Sequence, residues 1–411
     1  MRRTLVAVMA MAVITPVALA ACGDKEKSSA WVGTPGASAS ASAPGGEPVL
    51  ESASVPVSLA ITPATGKTGV PLSAEIGVKV GGGKVTDVTV KDGAGQAVTG
   101  KLRDDGTAWV PAATLKPSQK YSATVVATSD GGQTTTQTTS FTTMGKPGKR
   151  TGTGLYLFDD RTYGVAMPVV VEFSPGIKKA DRAAVQRRLF VSTTPAQPGV
   201  WSWTSSGTQA YYRGPEFWKP GTTIAVRVGV GGLPTGGGRY GDRDRSATAK
   251  IGRSFEMKVD NATKKMTVVK DGATIKTMPV SLGKKSTPSS SGVMVVMEKK
   301  EQTVFDTTDT DGADGYVTEI AFAQRLTWSG QYIHSAPWSV GDQGRRNVSH
   351  GCVNVAPGNA RWLFDNTLIG DPVTVKGTGD KLSYGNGWTP WDLSWSEYIK
   401  GSALPVPVSL K

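Results

Sequence analysis

Short stretches in which apolar and polar residues alternate, each cut off by a glycine-bearing turn, run along the chain from residue 51 and restrict it to a β architecture. Ile76, Val78 and Val80 alternate, as do Val88 with Val90, and Tyr121, Ala123 and Val125. Gly81-Gly82-Gly83, Asp92-Gly93, Asp105-Gly106 and Asp130-Gly131-Gly132 lie between them as turns. A period of two sends one face of a strand to a core and the other to water. About seven such strands in roughly 95 residues predict a β-sandwich over residues 51–147. The 51 glycines and 25 prolines suit this many turns and argue against a helical bundle.

A second copy of the pattern follows. Leu115-Lys116-Pro117 precedes Tyr121, Ala123, Val125 and Ala127; Trp218-Lys219-Pro220 precedes Ile224, Val226, Val228 and Val230 at the same offsets, 103 residues later. One sandwich per copy fits that period, so residues 148–253 are read as a second immunoglobulin-like sandwich, with a short helix within 181–189. From residue 254 the pattern changes. Phe255, Met257 and Val259 alternate, then Met266, Val268 and Ile275 around an Asp271-Gly272 hairpin turn. Residues 293–297 form a continuous apolar strand, 303–315 a mostly polar loop with four Asp, and 320–326 and 332–333 further strand. Residues 357–368 are the clear helix candidate, with Ala360, Leu363 and Phe364 on one face. Tyr384, Trp388, Trp391, Trp395 and Tyr398 crowd the tail and are expected to cover a neighbouring domain. The expectation is a mainly β chain: two tandem Ig-like sandwiches, a β-rich domain over 254–377 with few short helices, and a Trp-rich segment over 378–411.

The start of the chain reads differently. Arg2 and Arg3 precede an apolar run to Ala21, and Leu19-Ala20-Ala21-Cys22-Gly23 ends it. This order describes a secretory signal over residues 1–21 and resembles the lipobox of bacterial lipoproteins, in which cleavage before the cysteine leaves Cys22 to carry lipid. An uncleaved anchor helix, or a plain signal with an unrelated cysteine, are the alternatives. Residues 22–50, rich in Ser, Ala, Gly and Pro, read as a flexible tether. The expected location is therefore the outer face of the cell membrane, within reach of the wall. Loss of Arg2 and Arg3 leaves 44 basic against 33 acidic residues, still +11. Outside the cytoplasm that charge suits acidic wall polymers or anionic headgroups. No basic stripe interleaved with aromatics points to nucleic acid.

Both histidines and the only other cysteine fall within 19 residues, at His334, His350 and Cys352. A thiol nucleophile needs a base to take its proton, and a neighbouring His supplies one. His350 and Cys352 share a face if the segment is extended, and Gly351 between them would let backbone N–H groups converge as an oxyanion hole. The same three side chains could instead ligate zinc with a water, or be a buried thiol with two hydrogen-bonded histidines. Asp309-Thr310-Asp311-Gly312 hints at a calcium loop, but Ala313 and Ile320 stand where later oxygen ligands belong. A lid is the better reading of residues 306–315.

The string Ser349-His350-Gly351-Cys352-Val353-Asn354, with His334-Ser335-Ala336-Pro337-Trp338 before it, resembles the signature of the L,D-transpeptidase family with a YkuD-type catalytic domain. The order of lipobox, two Ig-like domains, catalytic domain and Trp-rich tail resembles the actinobacterial type. The resemblance implies a cysteine acyltransferase that joins peptidoglycan stem peptides by 3→3 links, in wall biogenesis, and needs no cofactor. Cys352 would be the nucleophile, His334 the general base and acid, and the Ser335 carbonyl the group that orients His334. Backbone N–H groups of His350, Gly351 and Cys352 would hold the oxyanion. Tyr316, Ser329, Gly330 and Asn354 would line the donor site, with Trp338 equally suited to packing. The implied partners are a tetrapeptide donor, a diamino-acid acceptor, the membrane through the lipid, and carbapenems as inhibitors. The alternatives are an L,D-carboxypeptidase, a metal-dependent amidase, and a wall-binding lipoprotein without activity.

Overall fold

The structure, a computed structural model, describes residues 57–306, 308 and 317–411. The signal, Cys22, the tether, Tyr316 and most of the Asp-rich loop lie outside the described residues.

Eight strands build the first sandwich as two four-stranded sheets. One runs Ser58–Thr62, Ile76–Gly81, Ala108–Pro111, Gly100–Leu102; the other runs Lys67–Val70, Thr134–Thr143, Lys120–Ser129, Gly83–Asp92. Val70, Ile76, Trp109, Tyr121, Ala123, Val125 and Phe141 fill the space between them. The second sandwich pairs a four-stranded with a six-stranded sheet. The repeat legible in the sequence is a structural repeat: strands Lys120–Ser129 and Thr223–Val228 both begin three residues after the shared proline, and Leu115 and Trp218 are both buried just before it. The short helix of this unit is Arg182–Gln186.

After residue 254 a six-stranded sheet has the order Ala273–Pro279, Lys265–Lys270, Phe255–Asp260, Pro372–Lys376, Ser290–Val295, Asp380–Lys381. Asp271 and Gly272 both take positive φ (47° and 87°), the geometry that a two-residue hairpin turn requires. A four-stranded sheet, Glu298–Asp306, Val317–Arg325, Tyr332–Ser335, Val353–Val355, lies against it. Helix Pro357–Asn366 starts with proline at a position whose N–H would be unpaired anyway, and sinks Ala360 and Leu363 into the same core. The expected polar loop begins later than the sequence suggests. Residues 303–306 continue a strand paired antiparallel with Val317–Arg325. Much of this hairpin's surface is exposed, so its strands carry little apolar alternation to read.

The units are joined by buried and half-buried polar ties. Glu75 of the first sandwich meets Arg103 at 2.6 Å and Arg188 of the second at 2.8 Å. Asp371, fully buried, takes both terminal nitrogens of Arg253 at 2.9 Å. Val295 and Met297 join the core of the second sandwich. The tail covers that sandwich as expected: the Tyr398 hydroxyl lies 3.0 and 2.7 Å from the carbonyls of Val200 and Tyr211, and the Trp391 indole donates to Ala166. Arg213, buried beneath it, donates to the carbonyls of Pro390 and Leu393 and stacks on Trp391 and Tyr398.

Candidate active site

Two neighbouring parallel strands place the reacting groups. Ile333 pairs with Val353, His334 with Asn354 and Ser335 with Val355. Because side chains alternate, Ile333, Val353 and Val355 go to the apolar core while His334 and Asn354 go to the opposite face. Cys352, one residue before its strand, shares that face with Asn354. Both reach a cleft of about 290 Å³ with His334, Ser349, His350 and Trp338. Phe305, Thr318 and Ile320 of the hairpin form its other wall.

The His334 Nδ1 lies 2.8 Å from the Ser335 carbonyl. A carbonyl only accepts, so the proton sits on Nδ1 and Nε2 keeps its lone pair. Burial lowers the His334 pKa below the usual histidine value, against the opposing pull of the Ser335 carbonyl. The Phe305 ring stands edge-on to the imidazole, 5.6 Å away. Cys352 is a buried thiol pushed up to about 12 by desolvation, and its Sγ–H points to the Gly330 carbonyl at 3.7 Å. Both groups are thus neutral at rest.

The loop bearing the thiol is held by two serines. The Ser349 Oγ accepts from the Gly351 amide at 3.1 Å and contacts the Cys352 carbonyl at 2.7 Å. The Ser289 Oγ accepts from the Gly283 amide at 2.9 Å and donates to the Gly351 carbonyl at 2.7 Å. Gly351 has φ of +121°, a conformation closed to residues with a Cβ. Asn354 donates from Nδ2 to the Ser339 Oγ at 3.2 Å, and its buried Oδ1 has no partner among the described residues.

A profile of the bacterial Ig domain matches residues 67–234, and one of the YkuD L,D-transpeptidase catalytic domain matches residues 254–375. L,D-transpeptidase 2 of Mycobacterium tuberculosis (strain CDC 1551 / Oshkosh) is 33% identical over 343 residues, 82% of this chain and 83% of that protein. The chain belongs to the L,D-transpeptidase family. It is accordingly a transferase. L,D-transpeptidase 5 of M. tuberculosis (strain ATCC 25618 / H37Rv) is also 33% identical, over 85% of this chain and 78% of that one. A solved L,D-transpeptidase in complex with imipenem is 34% identical and covers 54% of this chain and 97% of its own, with a TM-score of 0.47.

Within this transpeptidase the residues named from the sequence fall into three groups. His334, His350, Cys352, Asn354 and Trp338 line one cleft, Trp338 with 58% of its surface exposed and its ring 6.0 Å from His334. Gly330 touches the thiol through its carbonyl, and the Ser335 carbonyl holds the imidazole. Ser329 turns elsewhere: its amide donates to Asn386 Oδ1, and the Asn386 Nδ2 donates to its hydroxyl. The Gly351 amide, expected in the oxyanion hole, is already engaged by Ser349. His350 is exposed, with Nε2 at 3.0 Å from the Lys284 ammonium. Sequence reasoning missed Phe305, Thr318 and Ile320, and missed Ser289. The first three come from a hairpin whose pairing is non-local, while Ser289 sits in a run of small polar residues that resembles any loop.

Proposed function

We propose that the chain is a peptidoglycan L,D-transpeptidase that works through a Cys352 thioester. The observation that carries this is the fixed tautomer of His334. Its Nδ1–H is tied to Ser335, and its Nε2 lone pair opens to the cleft that holds Cys352. In the acylation step the sulfur forms a bond to the carbonyl carbon of residue three of a donor tetrapeptide. The thiol proton passes to His334 Nε2 and on to the departing amine, and the bond to the terminal D-Ala breaks. The side-chain amine of a diamino acid on a second stem then attacks the thioester. It gives its proton through His334 to the sulfur, and a 3→3 link results. Water in place of the amine yields the L,D-carboxypeptidase product. The Cys352 amide is the oxyanion donor beside the sulfur, since Gly351 serves Ser349. The neutral thiol must leave the Gly330 carbonyl as substrate enters, which couples deprotonation to binding.

Carbapenems present a reactive carbonyl to the same sulfur and are expected to acylate it. The lipid on Cys22 and an extracytoplasmic position belong to the same proposal, supported by the lipobox-like order at residues 19–23. Incubation with a tetrapeptide donor and mass analysis of products tests the reaction. Free D-Ala and a peptide dimer are expected from the native chain, and neither from Cys352→Ala or His334→Ala. Turnover retained by Cys352→Ala would refute the thioester.

A further inference from the structure

The segment that braces the nucleophile carries a cation to its side. Gly283 bridges Ser349, and the Lys284 amide donates to the Ser349 carbonyl at 2.8 Å. This pairing sets the Lys284 ammonium against His350 Nε2, two residues from Cys352 and on the rim of the cleft. There the ammonium donates and the ring nitrogen accepts, which uses one of three N–H donors on the lysine. Among the described residues, none of the ten that line the cleft is acidic. Residues 281–290 and 343–356, the two segments that meet here, also contain no Asp or Glu, yet carry Lys284, Lys285, Arg345 and Arg346. The preceding acid, Asp342, is paired with Arg346. Across the cleft the hairpin carries Asp306 and Glu319, so the basic charge lies on the side of His350, where it concentrates the opposite charge.

We propose that Lys284, seated on His350, is a binding position for a carboxylate of the acyl donor. This rests on the transpeptidase reading and specifies its substrate. A peptide attacked by Cys352 offers two such groups close to the reacting carbonyl. One is the terminal carboxylate of the departing residue. The other is a second carboxylate on the diamino acid being acylated. Either would take the remaining ammonium protons in a charge-assisted hydrogen bond. Lys284 is a specificity residue here and not part of the proton-transfer chain.

The test separates binding from turnover. Affinity of full-length Cys352→Ala for a tetrapeptide is measured by calorimetry, with and without Lys284→Ala. Three peptides are used: one with all carboxylates free, and one with each carboxylate singly converted to the amide. Lys284→Ala is expected to weaken the free-acid peptide about fivefold, at the upper end of the range for a solvent-accessible ion pair. One of the two amides should be bound equally by both proteins, and that amide identifies the carboxylate. Lys284→Arg is expected to retain the preference, and added salt to erode it. Equal weakening of all three peptides, or of none, would overturn the proposal. Failure of the native chain to turn over any donor would instead overturn the transpeptidase reading and leave the affinity comparison standing.

Discussion

Burial fixes the protonation of both reacting groups before substrate arrives. The Cys352 thiol is raised to about 12 and the His334 imidazole is lowered, so the resting site holds a neutral pair. Alkylation of Cys352 by a small uncharged reagent, followed by peptide mapping, should therefore quicken about tenfold per pH unit between about pH 7 and 10. A plateau already reached below pH 7 would reveal a preformed thiolate–imidazolium pair. Because the folded thiol pKa lies above the ordinary value, its contribution to stability is complete below about pH 8.5 and fades as pH climbs toward about 12. The His334 shift has the opposite sense: as pH falls through about 6.5 the unfolded chain takes the proton first, and stability drops. The acid limb of kcat/KM is accordingly expected below about pH 6.5. An acid limb centred well above that would contradict a buried His334 as the base.

At the scale of elements, the site depends on how a loop is pinned to a strand. Ser289 receives the Gly283 amide and supports the Gly351 carbonyl, so it ties the Cys352 loop to the segment carrying Lys284. Ser289→Ala leaves a buried amide without its acceptor and should lower stability by about 1–3 kcal/mol. It should also slow acylation more than it weakens donor binding, which stopped-flow and calorimetry together would separate. Unchanged acylation would mean that the loop is held by Ser349 alone. Local sequence exposed some elements and hid others for physical reasons. Asp271-Gly272 and Pro357 act within a few residues, so the hairpin and the helix were visible. The string from Ser349 to Asn354 was visible because its chemistry is compact in sequence. The wall formed by Phe305, Thr318 and Ile320 was not, since it exists only once Glu298–Asp306 pairs with Val317–Arg325.

Across the whole molecule, the catalytic domain and the second sandwich are bound by groups that no local pattern announces. Arg213 and the tail rings meet from about 180 residues apart, and Arg253 reaches Asp371 across 118. Burial pushes the Asp371 carboxyl up to about 6 even with Arg253 opposing it. Arg253→Met should lower the stability of the chain by about 3–5 kcal/mol near pH 8, where the carboxylate is left charged without its partner. The loss should shrink near pH 5, where Asp371 can take a proton instead. Denaturant unfolding at the two pH values checks this, and an equal loss at both would mean that the ion pair is not what joins the units. The tandem sandwiches were legible because alternation and turn chemistry repeat in each copy, whereas the seams between units are set by single buried charges.

Intact-mass spectrometry of the native chain with a carbapenem, beside Cys352→Ala, tests the central claim most directly. One adduct of the antibiotic's mass per native chain, absent from Cys352→Ala, is expected. A folded native chain that takes up no adduct, or an equal adduct on Cys352→Ala, would contradict Cys352 as the nucleophile of this site.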